Sequence, residues 1–421
     1  MLDDRIRRIG ELLEEQRETL LDLAAAMTAV PSVTGEEAAV ATFVEGWLIE
    51  HGFETDRHYS TDDDLRRWPV YGGERDLADR PTIIGRLRSA APTTGPVALN
   101  GHLDVVPVGD DPWRHAPFSG RREGGRIHGR GVADMKAGIA AAMIAMATIR
   151  NAGIELPFDV ELQAVIAEES GGLGTLSLLE ARGADYSAAM VFEPSSCLVV
   201  AACGGATPFT VEVDGRAAHI SIPWTGASAF DALMQVYDGL RALEADREAR
   251  LAHPLFDRLP QKAALAIGVV EAGDWRLSVP ASARMLGRIG TLPFERLDDV
   301  RGEVAAAIDA VAAADGWLGI GAPRLSWDGA GFAGWETPES SPVVRAARAA
   351  ALALGADPVP AAQTYGCDAG QFAARGVPVV VVGPGDLEQA HAVDESVAED
   401  DVVLVAGIIA ETLVRMGWEQ E

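Results

Sequence analysis

Two histidines and five carboxylates, most of them at the ends of apolar runs or in glycine-bearing loops, punctuate this 421-residue chain. They occur as Gly101-His102-Leu103-Asp104, Gly129-Arg130-Gly131-Val132-Ala133-Asp134-Met135-Lys136 and Ala167-Glu168-Glu169-Ser170. Glu193 follows in Val191-Phe192-Glu193-Pro194, and His391 comes much later in Gln389-Ala390-His391-Ala392-Val393-Asp394-Glu395. Imidazole nitrogens mixed with carboxylate oxygens form the ligand set of a two-metal hydrolytic site.

Each cluster has a chemical reading and a plainer one. Residues two apart on an extended segment share a side. A ligating imidazole is commonly oriented by a carboxylate on its other ring nitrogen, so Asp104 is expected to orient His102; a surface turn with an incidental pair fits equally. Asp134 ends a glycine loop that runs into a helix over 137–149, where its two oxygens could bridge two cations or simply cap the helix. Glu168 and Glu169 close a buried apolar strand, and adjacent carboxylates there repel unless something positive lies beside them. Neighbours on an extended segment face opposite ways, so one would bind metal while the other faces water. His391, alone in an acidic loop, gains its meaning only from the others.

Alternating elements must bring these residues together. Residues 12–24 repeat apolar positions at helical spacing, and Thr34-Gly35-Glu36-Glu37 has the form of a capping box before a helix over 38–49. From 81 to 200, strand-like runs (82–87, 96–99, 158–166, 188–192) are separated by loops and by helices over 137–152 and 175–181. This alternation implies an α/β mixed sheet with helices on both faces, with the candidate ligands at strand ends, where open α/β sheets place their sites. From 206 the order is strand, helix, strand, strand, helix, strand (207–213, 227–243, 263–271, 283–291, 297–314, 323–328), a ferredoxin-like α+β unit inserted into the first. A helix over 343–354, a buried strand over 377–383 and a helix over 401–416 complete the chain. The expected division is a discontinuous catalytic domain, 1–205 with 331–421, and a lid or dimerisation domain, 206–330.

Length alone favours two domains. With 48% apolar and 23% charged residues the composition is that of a soluble globular protein. A formal charge of -28 argues against nucleic acid and anionic lipid as partners, and no membrane span or signal peptide is expected. Cys197, Cys203 and Cys367 lack metal-type spacing, and any disulfide would leave one over, which suits the cytoplasm. Lysine occurs only at 136 and 262, so Lys136 beside Asp134 departs from a chain that otherwise uses arginine.

Taken together the segments resemble the metallopeptidase-related deacylase family of acetylornithine deacetylase, succinyl-diaminopimelate desuccinylase, aminoacylase-1 and carboxypeptidase G2, from Pro31 to the C-terminal helix. His253-Pro254-Leu255-Phe256, Gly273-Asp274-Trp275, Ser278-Val279-Pro280 and Gly287-Arg288-Ile289-Gly290-Thr291-Leu292-Pro293 most resemble its acetylornithine deacetylase/desuccinylase-related branch. The resemblance implies two divalent ions, zinc first, with cobalt or manganese as alternatives. Asp134 would bridge them, His102 and Glu193 would complete one site, and Glu169 and His391 the other. Glu168 would be the general base. His219, in Gly215-Arg216-Ala217-Ala218-His219-Ile220-Ser221, would reach the oxyanion, often from a partner subunit, and Arg288 would hold a substrate carboxylate.

The chain also departs from the family. Tyr365-Gly366-Cys367-Asp368-Ala369-Gly370-Gln371 has Gly370 and Gln371 where many relatives follow the aspartate with arginine; Asp368 is a candidate substrate contact. Leu277 replaces an asparagine common before the Ser-Val-Pro turn. Both changes put the acetylornithine and succinyl-diaminopimelate substrates in question. The charged 59–80 loop reads first as a solvated excursion, with Trp68 and Tyr71 as candidates to line a pocket. The expectation is a zinc-dependent amidohydrolase that removes the acyl group of a small N-acylated amine or amino acid; an N-formyl-aminopyrimidine deformylase or a metallodipeptidase would use the same residues, and an inactive binding or regulatory relative would typically lack one of them. Its partners would be a small N-acyl substrate and a second copy of the chain, as a homodimer.

Overall fold

The computed structural model describes residues 2–66, 77, 79–183, 185–327 and 331–418; Trp68 and Tyr71 lie outside them. The chain divides into two compact units. The first comprises Met1–Ala202, Glu336–Ala361 and Cys367–Glu421, and the second Cys203–Trp335 with Ala362–Gly366.

In the first unit a mixed sheet runs in the order Glu54–Tyr59, Pro81–Leu87, Val160–Val165, Val97–His102, Ala188–Val191, Val379–Val381, Val200–Cys203. Val97–His102 is parallel to both its neighbours, and Val379–Val381 is parallel to Ala188–Val191. Pro81–Leu87 is antiparallel to strands on either side. Every residue of Val97–His102 and Val160–Val165 is buried, because helices cover both faces. A side chain at Gly101 would strike Ile139 of the Ala137–Asn151 helix. Its neighbour Asn100, facing the other way, bonds Thr175 of the Leu173–Arg182 helix.

The Ala137–Asn151 helix is sheathed by Arg17–Thr28 and Glu399–Trp418. That explains why the apolar window of Val132–Asn151, the one stretch among the described residues long and apolar enough to span a membrane, is buried inside the protein.

The second unit is a four-stranded antiparallel sheet in the order Leu265–Ala272, Ser282–Thr291, Gly205–Asp214, Arg324–Ser326. In chain order its strands stand 2-3-1-4, and with helices Ala229–Arg250 and Leu297–Ala313 this is the ferredoxin-like arrangement expected. Gly205–Asp214 alternates along its outer half, sending Phe209, Val211 and Val213 into a core with Leu233, Val236, Val304 and Ile308. Ser228 caps the first helix by accepting from Asp231 N at 3.2 Å.

One local expectation fails. The capping box before Ala38–Glu50 does not form: the helix has no side-chain cap. Thr34 instead gives its hydroxyl to Asp104 Oδ2 at 2.9 Å, and Glu37, buried, forms a two-pronged ion pair with Arg80 at 2.6 Å. A bidentate charged pair and a buried aspartate offered these groups more than the helix end did.

Candidate metal centre

The loops that leave the parallel strands carry the site. His102 ends Val97–His102, and its Nδ1 lies 2.8 Å from the Asp104 carbonyl oxygen. In the neutral ring that contact takes the proton on Nδ1 and leaves the Nε2 lone pair facing the site. The Asp104 carboxylate is farther from the ring, at 3.7 Å. The orienting acceptor is thus the backbone carbonyl, because the carboxylate is engaged elsewhere: it accepts from the backbone N–H groups of Glu168 at 3.0 Å and Glu169 at 3.2 Å, besides Thr34. Asp104 therefore fixes the two glutamates' main chain. Burial pushes its carboxyl up to about 6.

Asp134 divides its two oxygens between the histidines. Oδ1 is 2.9 Å from His102 Nε2 and Oδ2 is 3.3 Å from His391 Nε2. Glu193 Oε1 lies 3.8 Å from His102 Nε2, and Glu169 Oε1 lies 3.0 Å from His391 Nε2. Donor atoms of His102, Glu168 and Glu193 lie within 4.8 Å of one another, as do those of His102, Asp134 and Glu169. Glu168 and Glu169 consequently serve one site, because the chain turns there: Ala167 is left-handed (φ 55°) and Gly171 and Gly172 both donate to the Glu168 carbonyl. Gly383 sits so close to the Glu193 carbonyl that a Cβ would come within 2.2 Å of its oxygen, so only glycine admits Glu193 at this strand end.

The electrostatics are those of a buried acidic cluster. Burial first, then Asp134, raises Glu193, and burial first, then Glu193, raises Glu168 well above the ordinary range. His102 is opposed by burial, yet its bond to Asp134 and the surrounding carboxylates hold its pKa well up. Bonds to Asp134 and Glu169 carry His391 up to about 10. Among the described residues no lysine or arginine side chain bonds or ion-pairs with Asp134, Glu168, Glu169 or Glu193. Two imidazoles and four carboxylates in this packing suit borderline divalent ions.

Asp368 is buried, turns Oδ2 to the Thr175 hydroxyl at 2.7 Å and leaves Oδ1 without a partner. Its charge is among those that raise Glu168. Thr175 accepts in turn from Asn100 Nδ2 at 2.9 Å. His219 and Arg288 belong to the second unit. His219 is exposed, and its Nδ1 accepts from Ser221 N at 3.2 Å. Half-buried Arg288 donates to the Thr364 carbonyl at 3.1 Å and, among the described residues, meets no carboxylate; burial lowers its pKa. Sequence reasoning missed Thr175, Asn100, Arg130 and Glu395. The last two lay inside quoted motifs, where their charge was the available signal.

Comparison with known proteins agrees with this geometry. Residues 98–415 match the description "Peptidase family M20/M25/M40". The N-formyl-4-amino-5-aminomethyl-2-methylpyrimidine deformylase of Bacillus subtilis (strain 168) is 28% identical over 98% of this chain and 98% of its own length. The acetylornithine deacetylase of Edwardsiella ictaluri (strain 93-146) is 25% identical over 93% and 96%. Among solved structures, the di-peptidase Dug1p from Saccharomyces cerevisiae superposes with a TM-score of 0.79 at 18% identity, over 99% of both chains. With the family match covering most of its length, this chain belongs to peptidase family M20/M25/M40 and is a hydrolase of amide carbon–nitrogen bonds.

Proposed function

We propose that this protein removes a small acyl group from an N-acylated amine or amino acid, using two divalent ions, zinc in the first place and cobalt or manganese as alternatives. Asp134 would be shared between the ions, with His102 and Glu193 holding one and Glu169 and His391 the other. The observation that carries this reading is the division of the Asp134 oxygens between two imidazoles. Bound there, the ions supply an acidified water and a polarised amide carbonyl.

Glu168 takes the proton of the attacking water and returns it to the leaving nitrogen. A carboxyl raised by burial and by its acidic neighbours is suited to handing on a proton as well as taking one. Arg288, with no acid partner among the described residues, would hold a substrate carboxylate through its planar fork. His219 would donate to the developing oxyanion. Around His219 the second unit exposes Ile220, Ile222 and Trp224, with Trp275 and Leu277 on the segment paired to it, which supports a homodimer formed through that unit. The three cysteines are buried and form no disulfide among the described residues, in keeping with a cytoplasmic site of action.

For the acyl group, the relative named as a formyl-aminopyrimidine deformylase matches along nearly the whole chain, which favours formyl over acetyl or succinyl. The test is turnover of N-formyl, N-acetyl and N-succinyl amines, N-formyl aminopyrimidines among them, with metal content measured on the same sample. Preferred release of formate supports the reading. Release of a larger acyl group corrects the substrate, and bound metal without any turnover would leave a binding protein.

A further inference from the structure

We propose that Glu395 and Arg130 form a clamp joining the Asp134 and His391 loops, and that this clamp sets how tightly the ion held by His391, Glu169 and Asp134 is bound. The inference rests on the two-metal reading above. Glu395 is fully buried and its carboxylate is saturated. Oε1 accepts from the backbone N–H groups of Ala133 at 2.9 Å and Asp134 at 3.3 Å, while Oε2 accepts from Gly131 N at 2.9 Å and Arg130 Nη1 at 2.7 Å. One side chain from the His391 loop thus organises the main chain that presents Asp134.

Arg130 closes the circuit from the other side. Nearly buried against the Trp113 ring, it donates to the carbonyls of His391 and Ala392, each at 3.2 Å. The loop it grips is strained: His391 and Asp394 both hold left-handed backbone, at φ 62° and 61°. Non-glycine residues keep that conformation only where their surroundings over-determine it. Here Arg130 fixes the His391 carbonyl, and Arg114 N donates to Asp394 Oδ1 at 2.6 Å. Without the clamp the His391 ring would sample positions away from Asp134 Oδ2.

The full chain, stripped of metal and titrated with Zn²⁺ alone in a calorimeter, should bind two equivalents. Glu395→Gln keeps the side chain's size but points amide hydrogens at backbone donors. It should weaken one of the two binding steps roughly 10–100-fold, the range for residues that support a ligand from behind, and the other by clearly less, because the second ion shares only Asp134 with the clamped loops. Arg130→Lys keeps the charge but cannot serve a carboxylate and two carbonyls from one plane; it should weaken the same step, and it carries the test if melting shows Glu395→Gln unfolded. Wild-type affinity at both steps in the folded variants overturns the clamp, as does equal weakening of both steps. Fewer than two equivalents bound by the unaltered chain would instead overturn the two-metal reading.

Discussion

At the scale of the residue, Glu168 and His391 make opposite demands on protons. Glu168→Gln removes a base while leaving all five proposed ligands, so turnover should fall roughly 10²–10⁴-fold, the usual contribution of general acid–base catalysis, with metal content unchanged. Retained activity in that variant would move the proton transfer to another group. His391, carried up to about 10 by Asp134 and Glu169, holds its proton at neutral pH in the metal-free protein, whereas a ligating imidazole must be neutral. Metal loading should therefore release a proton, and affinity should climb as pH rises toward 10. Calorimetry at pH 7 in two buffers of different ionisation enthalpy reads this directly; identical heats would mean that no proton leaves. The same raised pKa adds stability to the metal-free fold that is complete below the ring's unfolded value and lost as pH rises through about 10. With the ring 53% exposed, that contribution is small. The proposed ligands other than His391 stood out in the sequence because each follows an apolar run or a glycine loop; His391, in an acidic loop, had no such signal. The orienting role of the Asp104 carbonyl was not, since it depended on two backbone N–H groups claiming the carboxylate.

At the scale of the element, the parallel strands do more than end at the site. Asn100 and Gln163, on the face opposite Gly101, begin a buried polar chain. Asn100 bonds Thr175 and meets Gln163 at 3.3 Å, and Gln163 bonds Glu161 and Tyr186. At its inner end Thr175 holds Asp368 behind Glu168. Held by Thr175, Asp368 can act by positioning, besides the substrate contact expected of it. Thr175→Val should strand both the Asn100 amide and the Asp368 carboxylate, costing about 1–3 kcal/mol for each group left unsatisfied, and should lower kcat more than it raises KM. Thr175→Ser should restore both quantities. A valine variant with native melting temperature and native kcat would show the chain to be incidental. Periodicity revealed these elements to within a few residues, because their burial is continuous or alternates cleanly. It misled at Thr34 and Glu37, where local spacing suggested a cap but distant Asp104 and Arg80 took the partners.

At the scale of the whole molecule, net charge and apolar surface pull against each other. Each chain carries -28, so two copies repel, and a self-association through the second unit must overcome that repulsion with apolar contact. Trp224 and Trp275 are 77% and 63% exposed, with Ile220, Ile222 and Leu277 also open; fully burying a large apolar side chain contributes about 1.5–3 kcal/mol. Added salt shortens the range of the repulsion, to about 8 Å at physiological ionic strength, but leaves apolar contact intact. A dimer of the proposed kind should therefore tighten as salt rises from 10 mM-scale buffer to physiological strength, roughly a fall in screening length from 30 Å to 8 Å, the reverse of an association held by ion pairs. Sedimentation across that range measures it. Trp224→Asp should shift the equilibrium to monomer at every salt concentration, and if His219 acts across the interface, activity should fall in proportion to the monomer formed. A monomeric variant with full turnover would place His219's contribution within its own chain.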